Sequence, residues 1–186
     1  MNIYIYPGSF NSLHVGHLAI AQYVEDKFQE QVLFEICDYP FDKNPVSQED
    51  LAKRVKQFTM LSRPVITSHN VTFLEKSNYD AVSTYKNIFH ADAYKSVDII
   101  FIVGADTITR IDDIKYYCNS EREKKRAMAI LESRGVKFLV FPRIGHLTDG
   151  LSPDIMRLCD FVTDFEPVDI SSTEVREAEE SKFQVY

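Results

Sequence analysis

Met1-Asn2-Ile3-Tyr4-Ile5-Tyr6-Pro7-Gly8-Ser9-Phe10-Asn11-Ser12-Leu13-His14-Val15-Gly16-His17 opens the chain and sets its architecture. Residues 1–6 form a β-prone run that Pro7-Gly8 ends. Residues 16–28 then carry Leu18, Ala21, Val24 and Phe28 at helical spacing. A strand passing through a glycine turn into a helix is the first half of a βαβ unit. The alternation recurs along the chain. Further strands are expected at 32–36, within 64–74, and at 97–103, 136–141 and 161–165. Helices are expected at 47–61, 79–93, 106–117 (broken), 120–134, 155–159 and 172–180. Ser47 with Asp50 and Ser120 with Glu123 have the spacing of capping boxes, and Gly135 has the position of a helix C-cap. Runs 97–103 and 136–141 are nearly all apolar, as strands covered on both faces should be. The expected fold is α/β, a doubly wound parallel sheet with helices on both faces, in a single domain over 1–186.

Composition agrees with this and narrows the partners. The 186 residues are 45% hydrophobic and 26% charged, an ordinary globular balance that needs no disulfide or metal staple. Asp and Glu number 28 against 21 Lys and Arg, a net charge of −7. An acidic chain without a basic block is poorly suited to nucleic acid or to an anionic membrane surface. A homo-oligomer is compatible with this composition and is not required by it. Cys37, Cys118 and Cys159 are odd in number and lack metal spacing, which fits reduced thiols in a cytoplasmic compartment. The N-terminus enters a strand at once, without a basic region before an apolar stretch, so no signal peptide is expected. The longest apolar run, 99–105, is too short to span a bilayer.

The unusual residues cluster just after strands, where open parallel sheets bind ligands. Gly8-Ser9-Phe10 and His14-Val15-Gly16-His17 follow the first strand, Gly104-Ala105-Asp106 the fourth, and Pro142-Arg143-Ile144-Gly145-His146 the fifth. At a helix start, residues three apart share a face, so the imidazoles of His14 and His17 point the same way. The helix N-terminus adds amide donors and a positive dipole end, and Gly16 leaves room for a close approach. This is an anion site with two histidine donors, suited to a polyphosphate. Ser171-Ser172-Thr173 before the last helix, with Arg176 one turn on, offers a second set of hydroxyls and amides; by itself it is also what an ordinary N-cap looks like.

Gly8 to His17 resembles the G-[ST]-F-[DN]-P-x-H-x-G-H motif of the HxGH nucleotidyltransferases. Ile170-Ser171-Ser172-Thr173-Glu174-Val175-Arg176 resembles their I-S-[ST]-[TS]-x-[IV]-R motif. Within that superfamily the resemblance is greatest to the nicotinate/nicotinamide mononucleotide adenylyltransferases. Phe101 to Thr107 is similar to their strand ending in Gly-x-Asp, and Val140 to Gly145 to their strand ending in Arg-Pro-Gly. The resemblance and the strand alternation together predict a Rossmann-like sheet of order 3-2-1-4-5. The resemblance implies adenylyl transfer from ATP, bound with Mg²⁺, to a mononucleotide in NAD biosynthesis, without a covalent enzyme intermediate. It makes His14 and His17 catalytic. Gly8, Ser9, Phe10, Gly16, Lys43, Ser172, Thr173 and Arg176 would hold ATP and its phosphates. Gly104, Asp106, Tyr116, Tyr117 and Arg143 would hold the acceptor. No metal ligand is expected from the protein itself, since phosphates and water supply the Mg²⁺ shell.

Three departures separate this chain from the pattern. Ser12 and Ile144 stand where the family usually has Pro. Ile114 stands where it usually has a Trp that stacks on the pyridine ring, and the chain contains no Trp. Tyr116 and Tyr117, just beyond, are the aromatic rings available as substitutes. Two other readings follow: the same chemistry with a different phosphorylated acceptor or with CTP as donor, and a nucleotide-binding module without catalysis. The retained His14, His17 and Arg176 oppose the latter. Asn78-Tyr79 to Thr84 is faintly similar to the family's Ser-Tyr…Thr segment. His69, His90 and His146 read as surface residues and Cys37 as a core residue.

Overall fold

The structure, a computed structural model, describes residues 2–38, 44–68 and 98–167. Six strands form one sheet: β1 (Asn2–Gly8), β2 (Val32–Cys37), β3 (Val65–Ser68), β4 (Asp98–Gly104), β5 (Val136–Phe141) and β6 (Cys159–Phe161). Their order is β3-β2-β1-β4-β5-β6 and every pairing is parallel. The expected order 3-2-1-4-5 is therefore observed, with β6 added at the edge beside β5.

Five helices accompany the sheet among the described residues: α1 (Val15–Phe28), α2 (Gln48–Met60), α3 (Ala105–Ile111), α4 (Glu121–Ser133) and α5 (Pro153–Met156). Side chains alternate along β1 between two cores. Ile3 and Ile5 face a cluster with Ile108, Met128 and Leu131 from α3 and α4. Tyr4 and Tyr6 face a cluster with Ala21 and Val24 from α1 and Phe58 from α2. Phe34, Phe101 and Phe138 are fully buried in the central strands, which is why those runs lack polar alternation. Cys37 is buried, as expected for a core thiol, and no disulfide joins Cys37, Cys118 and Cys159. Among the described residues no helix is long and apolar enough to cross a membrane.

The break expected in the 106–117 helix is observed: α3 stops at Ile111, and a short 3-10 turn, Ile114–Tyr117, follows. The break is tertiary in origin. Asp112 accepts from Ser152 N at 2.7 Å and from Ser152 Oγ at 2.5 Å, and Lys124 Nζ lies 3.2 Å from its Oδ1. Asp113 then caps the 3-10 turn by accepting from Lys115 N at 3.0 Å. The helix expected at 155–159 starts earlier, at Pro153, with Ser152 as its N-cap. Pro at the first helical position is favoured because its missing N–H would lack an intrahelical partner anyway. This shift also moves β6 forward, to Cys159–Phe161 instead of 161–165. The segments expected as a helix at 79–93 and a helix at 172–180 lie outside the described residues.

Gly135 ends α4 in the left-handed region at φ 68°, and a Cβ there would lie 2.5 Å from Asp98 Oδ1. Gly135→Ala should therefore lower stability by about 1–2 kcal/mol, the usual cost of a left-handed L-residue. A thermal melt should show the loss, while ligand binding on the folded protein stays unchanged because Gly135 lies at the opposite end of β5 from Arg143.

Candidate active site

The first strand delivers its loop to the carboxyl rim of the sheet. Gly8 pairs with Ile36 in register, and Gly104 pairs with Phe141, so the exits of β1, β4 and β5 lie side by side. Phe10 adopts a left-handed backbone, φ 42°, and folds its ring back into the core. That ring is 3% exposed and meets Tyr6, Phe34 and Phe58 edge-on, with centroids 5.5, 5.5 and 5.1 Å away. A Cβ at Gly8 would sit 2.8 Å from its Cζ, so only glycine leaves the space. The sequence reading gave Phe10 an amide role; its side chain proves to be the loop's apolar anchor.

His14 then caps α1 with an extended backbone, and His17 lies one turn in. Their rings stack, with centroids 3.7 Å apart. His14 N–H donates to His17 Nδ1 across 3.4 Å. An Nδ1 that accepts is unprotonated, so neutral His17 carries its proton on Nε2 and presents a donor there. The His17 ring also packs edge-on against Phe10 at 5.0 Å and Tyr6 at 6.0 Å. Burial, then His14, then Arg143 push the His17 pKa down to about 3, and burial with Arg143 lowers that of His14. Gly16 is buried between the two histidines.

Across the rim, Asp106 follows Gly104 in the first turn of α3, and Arg143 follows β5. Arg143 Nη1 lies 3.1 Å from Asp106 Oδ2. Arg143 begins a turn closed by His146 N–H donating to Arg143 O at 3.1 Å, with Gly145 at φ 77°. Ile144 holds the second position of that turn, one that Pro also suits, which explains why Ile replaces Pro here without disturbing Arg143. Tyr6 lies between the two sides: its pKa is raised by burial, and it feels Arg143 and Asp106 in opposite senses. His14 Nδ1 and Asp106 Oδ1 are both buried and have no hydrogen-bond partner among the described residues. Native proteins rarely leave such atoms unsatisfied, and two on one rim mark a place for a ligand.

Gly8, Ser9, Phe10, His14, Gly16, His17, Gly104, Asp106 and Arg143 thus lie along one rim of the sheet. Tyr117 does not. It is 6% exposed in the core, and its hydroxyl donates to Ile111 O at 2.8 Å, so its ring offers no face to a ligand. Tyr116 is half-buried, with Lys115 Nζ 4.6 Å from its ring centroid. His146 is exposed, as expected. Lys43, Ser172, Thr173 and Arg176 lie outside the described residues, as do Tyr79, Thr84, His69 and His90. Among the described residues no group of three His, Cys, Asp or Glu side chains is placed to hold a metal. Two residues absent from the sequence reading touch the loop: Arg54 Nη1 donates to Ser9 O at 2.9 Å, and Gln57 Oε1 accepts from Leu13 N at 2.8 Å. Their signal was a polar pair beside Phe58 at helical spacing on α2.

A family model described as cytidylyltransferase-like matches residues 5–178. The chain belongs to the cytidylyltransferase-like family. A probable nicotinate-nucleotide adenylyltransferase of Bacteroides thetaiotaomicron is 31% identical over 190 residues, covering 97% of this chain and 83% of that protein. One from Caldicellulosiruptor saccharolyticus is 29% identical over 180 residues, covering 95% and 85%. Among solved structures, the Plasmodium falciparum nicotinic acid mononucleotide adenylyltransferase complexed with NaAD superposes with a TM-score of 0.60. It is 19% identical, with 95% of this chain and 82% of that chain covered, and shares the fold. The nucleotidyltransferase resemblance read from the loop and strand ends is thereby met, and the chain is an enzyme of that class.

The fold depresses the His17 pKa from 6.5 to about 3, so it favours the neutral ring. Between those values the unfolded chain binds the proton and the folded chain does not, so stability rises with pH. This contribution is complete above pH 6.5 and is lost as pH falls toward 3. Melting temperatures measured from about pH 5 to 7 should climb more steeply for wild type than for His17→Gln. Equal slopes would show that His17 is not held neutral by the fold.

Proposed function

We propose that the chain transfers the adenylyl group of ATP to nicotinate mononucleotide, or to its nicotinamide counterpart, in NAD biosynthesis. The observation that carries this reading is the pair of buried atoms unpartnered among the described residues, His14 Nδ1 and Asp106 Oδ1, at the meeting of a histidine-capped helix and the Asp106–Arg143 pair. The names of the relatives supply the acceptor class.

An oxygen of the acceptor's phosphate forms a bond to the α-phosphorus of ATP. The bond from that phosphorus to the bridging oxygen breaks, and its electron pair leaves with pyrophosphate. The protein forms no covalent bond; its work is placement and charge stabilisation. His17 Nε2–H and the start of α1 are donors for the phosphates, on which charge accumulates as pyrophosphate departs. Neutral imidazoles packed 3.7 Å apart become easier to protonate once anionic phosphates sit beside them. Gly8, Ser9, Phe10 and Gly16 shape the phosphate loop, and Lys43, Ser172, Thr173 and Arg176 complete the triphosphate contacts. Mg²⁺ arrives as part of the MgATP substrate. Gly104, Asp106 and Arg143 bind the acceptor, with Tyr116 as the stacking ring in place of the family's Trp. Three cysteines without a disulfide between them suit a reducing, cytoplasmic setting.

A second reading keeps the chemistry and changes the acceptor. The absence of Trp, together with Tyr117 being packed in the core, supports it, and the retained His14, His17 and Arg176 speak against loss of catalysis.

His17→Ala should lower kcat about 10²–10³-fold, as expected for a lost donor to transition-state charge worth about 3–4 kcal/mol. The melting temperature of the same preparation should show a folded protein. Pyrophosphate release with ATP and a panel of acceptors gives both kcat and the substrate. Wild-type turnover in a folded His17→Ala variant would remove His17 from the mechanism.

A further inference from the structure

We propose that Arg54 and Gln57 are positioning residues that clamp the phosphate loop, residues 8–14, in its histidine-presenting form. This rests on the adenylyltransferase reading above. Positions 54, 57 and 58 share one face of α2, by the three- and four-residue spacing of a helix. All three touch the loop. Arg54 Nη1 holds the Ser9 carbonyl at 2.9 Å, Phe58 packs edge-on against Phe10 with centroids 5.1 Å apart, and Gln57 Oε1 holds the Leu13 amide at 2.8 Å. A loop fixed at residues 9, 10 and 13 cannot pivot about any one of them.

The Arg54 bond also sets the direction of a donor. In a trans peptide the carbonyl of one residue and the N–H of the next point opposite ways. With the Ser9 carbonyl turned to α2, the Phe10 N–H points away from α2. The Gln57 bond acts on the other end, because Leu13 immediately precedes the helix-capping His14. Loops are ordinarily the most mobile parts of a fold, yet a displacement of about 1 Å at reacting groups can cost a hundredfold in rate. A part-buried carbonyl and amide that lose their partners are strongly driven to find others, and the loop would shift to do so.

The test compares wild type with Arg54→Met, Arg54→Lys and Gln57→Met, each shown by circular dichroism to be folded at the assay temperature. Arg54→Met should lower kcat/KM for ATP about 10–100-fold. The KM for the mononucleotide should stay within about threefold of wild type. Arg54→Lys keeps a donor for the Ser9 carbonyl and should recover most of the loss. Gln57→Met changes no charge and should fall in the same direction. Wild-type kcat/KM for ATP in Arg54→Met, or an effect of Arg54→Met with none from Gln57→Met, would overturn the clamp. Histidine NMR gives a readout independent of turnover. His17 resonances should stay fixed from about pH 5 to 7 in wild type and titrate in Arg54→Met. If the wild-type chain transfers no adenylyl group, the enzymatic reading fails. Fixed His17 resonances in Arg54→Met would then still overturn the clamp, and titrating ones would sustain it.

Discussion

The burial of the Phe10 ring is the constraint on which the rest of the site depends. Its backbone sits in the left-handed region, at φ 42°, which costs an L-residue about 1–2 kcal/mol. Burying a phenylalanine side chain contributes about 1.5–3 kcal/mol, enough to offset that cost. The ring fills the space that Gly8 leaves empty and closes the aromatic cluster of Tyr6, Phe34 and Phe58. Because the ring is held, the chain leaves β1, reverses over the core and enters α1 with His14 at its N-terminus. His17 in turn leans on the same ring. Sheet, loop and histidine pair are therefore one packed unit.

The electrostatics suit an anionic ligand although the chain carries a net charge of −7. A formal charge summed over the whole surface says little about one rim. There, among the described residues, the start of α1, two imidazoles and Arg143 lie along one rim with Asp106, whose carboxylate is paired to Arg143 through one oxygen. His17 is kept neutral by burial and by its neighbours, so it serves as a donor without repelling Arg143. A polyphosphate entering here would accept from the imidazoles and from the amides at the start of α1, whereas Asp106 Oδ1, a carboxylate oxygen, calls for a donor on the ligand.

The sheet was legible in the sequence because runs such as 97–103 and 136–141 read as buried parallel strands, and β4 and β5 fall there within a residue. The rim was legible because Gly8 and Gly104 fall at strand ends and His14, His17, Asp106 and Arg143 follow them. What sequence could not supply were long-range pairings. The break expected within 106–117 falls at Asp112, which is engaged by Ser152, 40 residues away. Arg54 and Gln57 reach loop atoms 45 and 44 residues away. Tyr116 and Tyr117 are equivalent in sequence, and only the register of the 3-10 turn decides which ring enters the core. The polar character of Arg54 and Gln57 was visible on α2, but nothing local showed what they faced.

Isotope transfer tests the central claim most directly. The chain would be incubated with MgATP labelled at the α-phosphate and with nicotinate mononucleotide, and the products separated. The account predicts label in a dinucleotide, formed in equal amount with unlabelled pyrophosphate. Label that remains in ATP, or that appears only in AMP, with every mononucleotide offered would contradict it.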